Sequence, residues 1–144
     1  MSRLRRPVRG RARSLGRAGA RILYNGVRGP ADPQSRPPHN AAMLLRPTGT
    51  QEFVAKQELP NEDLFDEVRQ FTLSWPSLPV VLGEVRLGIL ICEVLRHPGP
   101  ASRLAAAGAE ALLAINGSPF EVAKADRRVA VARARLRKTG LPVA

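Results

Sequence analysis

The stretch PVVLGEVRLGILICEV, residues 79–94, decides the fold of this chain. Over residues 85–92 the side chains alternate between two faces of a predicted strand. One face carries Val85, Leu87, Ile89 and Ile91, and the other carries Arg86, Gly88, Leu90 and Cys92. Gly83 and Glu84 form a turn that separates this strand from a shorter one at residues 80–82.

Downstream of this strand the sequence alternates between helix and strand. We predict a helix at residues 101–107 that ends at Gly108, a strand at 111–115 and a helix at 121–138. The expected inner stripe of the last helix consists of Val122, Ala125, Val129, Ala132 and Leu136. A strand, helix, strand, helix order implies parallel pairing and places the chain in the α/β class.

Upstream, residues 39–45 and 52–56 are predicted strands joined by a turn at Gly49, and Lys56 ends the second of them. Residues 57–79 form a long loop, and loops of this length inside a compact domain are usually functional. No apolar run is long enough to cross a bilayer.

The net charge of +11 is concentrated in residues 1–36, which hold ten Arg and one Asp. We predict an irregular arm at residues 1–38 and a folded domain at residues 39–144. The arm reads as a solvated extension, a targeting segment, or a nucleic-acid-binding arm. Nucleic acid is the less favoured partner, because no aromatic residues that would stack on bases interleave with the arginines.

Cys92 is the one cysteine of the chain, which excludes a disulfide framework and indicates a reducing compartment, the cytoplasm. A lone cysteine on an apolar strand is usually a small buried side chain. Three features favour a nucleophile: Cys92 ends its strand, Glu93 follows it, and Lys56 ends another strand. A nearby cation favours the reactive thiolate. His39, His97 and Cys92 match no standard metal spacing, and no nucleotide-binding glycine motif is present, so neither a metal nor a cofactor is expected.

Three segments together resemble the nitrilase (carbon–nitrogen hydrolase) superfamily, and in particular the glutaminase domain of bacterial glutamine-dependent NAD synthetases. They are KQELPNEDLFDEVRQF (residues 56–71), VRLGILICE (residues 85–93) and GAEALLAINGSPFEVAKADRR (residues 108–128). Their order and spacing agree with the family pattern, and the match covers roughly residues 39–144.

The resemblance implies part of a four-layer α-β-β-α sandwich that hydrolyses the side-chain amide of glutamine. Cys92 would be the nucleophile, and Lys56 would stabilise the charge of the tetrahedral intermediate. Ser118 and Lys124 match positions that contact glutamine, and Glu67 matches a supporting carboxylate. From the residues alone, Ser118 is equally a helix N-cap and Lys124 a solvated lysine.

The chain departs from the family pattern in ways that predict a truncated and impaired member. The general-base Glu of the family lies well upstream of the lysine, on a strand near the start of the domain, whereas the chain upstream of His39 contains no Glu here. The tyrosine after LPN is Glu62 here, and the sequence stops at LPVA, where the family enters another strand. ATP would belong to a separate synthetase domain, and the expected protein partner is either that domain or a second copy of the chain. The alternative is a non-catalytic interaction module.

Overall fold

Two three-stranded sheets form the centre of the molecule in the computed structural model, which describes residues 22–28 (backbone only), 37–46, 48–61, 66–117 and 124–144. The first sheet is antiparallel, in the order β1-β2-β3, with β1 at Ile22–Arg28, β2 at His39–Leu45 and β3 at Gln51–Ala55. The second sheet contains β4 (Val80–Leu82), β5 (Val85–Ile91) and β6 (Ala111–Ile115).

Strands β5 and β6 are parallel, with Ile91 opposite Ile115, as the alternation of strand and helix predicts. The crossover between them is a 3₁₀ helix, Cys92–Arg96, followed by helix α2, Pro98–Ala106. The short helix α1 (Glu67–Gln70) lies in the long loop, and helix α3 (Lys124–Thr139) follows β6. Val143 continues the second sheet with a parallel bridge to Leu112.

The two faces of β5 belong to two separate hydrophobic cores, as the sequence alternation predicts. Ile89 and Ile91 pack against the first sheet, together with Ala42, Leu44, Val54 and Val80. Leu90 packs on the opposite side, together with Val94, Ala101, Leu104, Ala109 and Leu112. The described residues therefore form three layers: a sheet, a second sheet, and helices.

The strand β1 corrects part of the prediction for the N-terminal segment. Residues 22–28 lie inside the predicted irregular arm, yet their backbone pairs antiparallel with β2, from Ile22 opposite Leu45 to Arg28 opposite His39. The alternation of side chains in ILYNGVR is interrupted by Asn25 and Gly26 and gave no clear strand signal. The pairing satisfies the backbone N–H and C=O groups on the open edge of β2. Hydrogen bonds between backbone groups do not depend on the side-chain alternation. Residues 1–21 and 29–36 of the arm lie outside the described part of the chain, and the boundary at residue 38 stays a prediction.

The predicted inner stripe of the last helix is wrong. Val129 and Leu136 are 49% and 46% exposed, Ala125 is also exposed, and Val122 lies outside the described residues. The buried side of α3 instead begins at Lys124, and further along the helix Arg135 donates from Nη2 to the carbonyl of Arg96 at 3.1 Å. Arg135 thus connects α3 to the 3₁₀ helix, and the aliphatic stem of such a side chain can cover a surface while its end forms a hydrogen bond.

Candidate active site

Cys92 lies at the carboxyl end of β5, the edge of a parallel pair at which catalytic groups collect. It is the first residue of the 3₁₀ helix and has a φ of 50°, the only positive φ of a non-glycine residue in the described part of the chain. Side chains disfavour this left-handed conformation, and such strain concentrates at functional sites. The sharp turn from strand to helix thus presents a free, partly buried thiol.

The side chain of Cys92 does not continue the strand alternation. The pattern of β5 places it on the face of Leu90, but it packs at the margin of the core between the two sheets, beside the Ile89 and Ile91 face. The left-handed backbone at Cys92 ends the regular strand one residue earlier than predicted, so the alternation no longer fixes where this side chain points.

A cavity of about 330 Å³ opens beside Cys92. It lies between the 3₁₀ helix, the end of β6 and the first turns of α3. Its lining consists of Cys92, Glu93, Leu95, Arg96, Asn116, Lys124, Arg127, Arg128, Ala130 and Val131. Lys124 is 8% exposed, so the reading of this residue as a solvated lysine is wrong. The structure thus brings two of the predicted site residues, Cys92 and Lys124, to the same cavity.

Lys56 follows the last residue of β3 and is 3% exposed. Its Nζ donates to both carboxylate oxygens of Glu67, at 2.9 Å to Oε1 and 2.7 Å to Oε2. Asn40 Nδ2 donates to Glu67 Oε1 at 3.3 Å, and the backbone N–H of Lys56 donates to the carbonyl of Asn40 at 2.7 Å. These contacts fix the ammonium group at one place, as a charge-stabilising role requires.

The neighbouring residue Gln57 joins the long loop to helix α2. Its side-chain Nε2 donates to Ser77 Oγ at 2.6 Å, and Arg103 Nη2 donates to its Oε1 at 3.1 Å. Gln57 is buried, so both ends of its amide are satisfied by residues that are distant in sequence. The backbone that carries Lys56 is therefore held from two sides.

The predicted site residues do not all meet in the described part of the chain. Lys56 is not part of the lining of the Cys92 cavity, and Ser118 and Glu62 lie outside the described residues. Sequence reasoning missed Asn40, whose contact with Glu67 joins two distant segments and leaves no local signal. It also missed Arg127 and Arg128 as cavity residues, although their spacing of three and four from Lys124 could have indicated one helix face.

The described residues support neither a metal site nor a membrane-spanning helix. No group of three or more His, Cys, Asp or Glu side chains there could hold a metal ion. Within the same residues, no helix is long and apolar enough to cross a bilayer.

The chain is similar in sequence to glutamine-dependent NAD⁺ synthetases of several bacteria. It is 44% identical over 105 residues to that of Rhodobacter capsulatus, a match that covers 73% of this chain and 19% of the relative. It is 36% identical over 108 residues to that of Xanthomonas campestris, with 74% and 20% covered. The chain thus spans about a fifth of the length of the curated relatives it matches. No family model matches it.

Solved structures share the fold. The glutamine-dependent NAD⁺ synthetase of Acinetobacter baumannii superposes with a TM-score of 0.80 at 23% identity, over 92% of this chain and 25% of that one. An amidase from Nesterenkonia, with acrylamide added to its active-site cysteine, gives 0.76 at 21% identity, over 94% and 52%. Likeness at this level of identity establishes a common fold.

Proposed function

Because the chain belongs to the carbon–nitrogen hydrolase (nitrilase) superfamily, we propose that it is part of a glutaminase that supplies ammonia for NAD synthesis. The observation that carries this proposal is the strained backbone of Cys92 at a cavity that also holds the buried Lys124. The curated relatives are named glutamine-dependent NAD⁺ synthetases, and the ATP-dependent reaction would reside in a synthetase domain. We also propose a cytoplasmic location, since a reducing compartment keeps this thiol free.

In the proposed reaction the Cys92 thiolate attacks the carbonyl carbon of the glutamine side-chain amide. The C–S bond forms, the carbonyl oxygen takes the negative charge, and the intermediate collapses to a thioester as the C–N bond breaks. The leaving nitrogen takes up the proton that the thiol lost and departs as ammonia. Water then hydrolyses the thioester to glutamate and restores the thiol. Lys56 would stabilise the oxyanion, with Glu67 as the carboxylate that positions its ammonium group, while Ser118 and Lys124 would hold the substrate.

The proton of the thiol needs an acceptor, and the described carboxylates near these groups are already paired. Glu67 binds Lys56, and Glu93 Oε1 lies 3.0 Å from Arg96 Nη1. The sequence contains no Glu before Glu52. A general base contributes about 10²- to 10⁴-fold to such a step, so we expect the 144-residue polypeptide to hydrolyse glutamine slowly on its own.

Two measurements on the purified chain test this function. The first is ammonia release from glutamine, with Cys92→Ala as the matched control; we expect a slow release that this variant abolishes. The second is the rate of iodoacetamide alkylation of Cys92, which glutamine should reduce in a saturable way while leucine does not. The absence of both ammonia release and protection by glutamine would reject the glutaminase and favour a non-catalytic module.

The rate of ammonia release, compared with that of a relative, separates slow from normal catalysis. The Rhodobacter capsulatus synthetase, assayed alongside, provides the reference rate of ammonia release. A rate for the 144-residue chain equal to that reference would show that no further general base is needed and would contradict the expected impairment.

A further inference from the structure

The side chain of Gln57 connects the segment that carries Lys56 with helix α2. Gln57 directly follows Lys56 and is 7% exposed. Its Oε1 accepts a hydrogen bond from Arg103 Nη2 at 3.1 Å, and its Nε2 donates to Ser77 Oγ at 2.6 Å. Because Gln57 and Lys56 share a peptide bond, a shift of the Gln57 side chain is passed to the backbone from which the Lys56 ammonium group extends.

Arg103 belongs to the helix that follows the turn at Cys92. Helix α2 begins two residues after the 3₁₀ helix, whose first residue is Cys92. The buried face of α2 packs in the same core as Val94 of the 3₁₀ helix, and this close packing fixes α2 relative to the thiol. The hydrogen bond from Arg103 to Gln57 therefore joins the segment after β3 to the elements that present the nucleophile.

The direction of the Arg103 side chain depends on Gly99. Long side chains of a helix point toward its N-terminal end, and the guanidinium of Arg103 lies beside Gly99, one turn earlier. A Cβ atom at position 99 would lie 3.1 Å from Arg103 Nη1, which is closer than ordinary van der Waals contact. The absence of a side chain there leaves room for the guanidinium, whose other nitrogen, Nη2, reaches Gln57.

We infer that Arg103 is a positioning residue, which acts through Gln57 to hold the ammonium group of Lys56 at a fixed place relative to the thiol. Glu67 orients the end of the lysine side chain, whereas Arg103 and Gln57 set the place of its backbone. A displacement of about 1 Å in a catalytic group can lower a rate about 10²-fold, so this contact affects the reaction without touching the substrate. The inference rests on the proposed function for the role of Lys56, and it adds a residue outside the cavity.

The exchange of the Lys56 ammonium protons with solvent measures this positioning without any catalysis. The chain has three lysines, so labelling with ¹⁵N-lysine marks three Nζ atoms, and the NMR signal of Lys56 is the one that Lys56→Arg removes. Burial and the ion pair with Glu67 should make its exchange slow. We expect Arg103→Met to accelerate the exchange about tenfold, because the released segment opens more often.

Arg133→Met is the matched control for this measurement. It removes an exposed arginine from helix α3 at a position outside the lining of the Cys92 cavity, and it should leave the exchange rate of Lys56 unchanged. An exchange rate in Arg103→Met equal to that of the parent chain would overturn the inference. So would an equal acceleration in Arg133→Met, because the effect would then belong to the lost charge.

Gly99→Val separates positioning from stability. Valine has a higher helix propensity than glycine, so this variant should not lower the free energy of unfolding measured with urea. Its side chain enters the space of the Arg103 guanidinium, so the exchange of Lys56 should accelerate as it does in Arg103→Met. If Arg103 only stabilised the fold, the exchange would follow the unfolding free energy and would not accelerate in Gly99→Val. That result contradicts the positioning role.

The steady-state kinetics of ammonia release test the effect on the reaction. Arg103→Met and Gln57→Met should each lower kcat about tenfold at an unchanged KM for glutamine, because a displaced Lys56 ammonium stabilises the transition state less well. The double variant should be no slower than either single variant, since both changes break the same contact. Multiplied effects, or a change confined to KM, would overturn the inference. A parent chain that releases no ammonia, together with the faster ammonium exchange in Arg103→Met, would instead reject the proposed function alone.

Discussion

Cys92 carries its thiol on a backbone conformation that an L-residue adopts at a cost of about 1–2 kcal/mol. Glycine adopts it without this cost, although a glycine also makes the unfolded chain more flexible by an amount worth about 0.5–1 kcal/mol. We therefore expect Cys92→Gly to be more stable than Cys92→Ala by roughly 0.5 kcal/mol, with urea denaturation as the measurement. A Cys92→Ala variant as stable as Cys92→Gly would show that the backbone there is not strained.

The pair of Lys56 and Glu67 is the second feature at the residue scale. The side chain of Lys56 is almost fully buried and that of Glu67 mostly so, and removal of one member leaves the other charge without compensation. We expect Glu67→Gln to cost about 3 kcal/mol of unfolding free energy, and the double variant Lys56→Met/Glu67→Gln to cost less than the sum of the two single changes.

The surface pair of Arg46 and Glu52 provides the control for this measurement, because both side chains are about a third exposed. Glu52→Gln should cost no more than about 1 kcal/mol. If Glu67→Gln costs no more than Glu52→Gln in chemical denaturation, the buried pair does not contribute to stability.

At the scale of the elements, the contact between β5 and α2 depends on Gly88. A Cβ atom at this position would lie 2.8 Å from Leu112 Cδ2 and 3.1 Å from Leu104 Cβ. Gly88→Ala should therefore cost about 1–3 kcal/mol through overpacking. Gly117→Ala is the matched control, because no atom lies within 4 Å of the corresponding Cβ, and thermal melting of the two variants should separate clearly. Equal melting temperatures would contradict the close packing of α2 on β5.

The sequence predicted elements best where one strong local pattern was present. The strands at β2, β4 and β6 begin and end at the predicted residues, because their apolar runs are bounded by turn residues. It failed for α3, because the apolar stripe that includes Val129 and Leu136 is not the buried face of this helix. Which face of a helix docks depends on its partner, here the backbone carbonyl of Arg96, and the sequence of the helix does not contain that information.

At the scale of the whole molecule, the predicted nitrilase-type α/β sandwich is confirmed, with two sheets that enclose one core and helices that cover another. For the candidate site, the sequence identified individual residues such as Cys92 and Lys56, because each stands at the end of a strand. It did not reveal the contact of Asn40 with Glu67 or the cationic cavity, since both arise from segments that only the tertiary structure brings together.

Global stability should depend on pH through Glu110 at the start of β6. The backbone N–H of Arg86 donates to Glu110 Oε2 at 2.8 Å and, together with the Arg86 side chain, lowers the pKa of this carboxyl below its ordinary value of 4.5. A folded-state pKa below the unfolded one gives a stabilisation that is present above about pH 5 and is lost as the pH falls through the folded value.

Glu110→Gln should therefore be less stable than the parent chain at neutral pH, and the difference should shrink below about pH 4. Urea denaturation at a series of pH values gives this comparison. Glu84→Gln, at the exposed turn between β4 and β5, controls for the loss of one negative charge. A difference that does not change with pH would mean that the Glu110 carboxylate does not titrate as these contacts imply.

The Lys56–Glu67 pair also has a consequence for how the site could lose its function. Lys56 directly follows β3 of the first sheet, while Glu67 belongs to a four-residue helix without any buried residue. Such a short element opens locally at a much lower free energy than the sheets do. When it opens, the ammonium of Lys56 loses its anchor while both cores remain intact. The temperature at which the site loses its activity is then set by the opening of this helix and can lie well below the melting temperature of the fold.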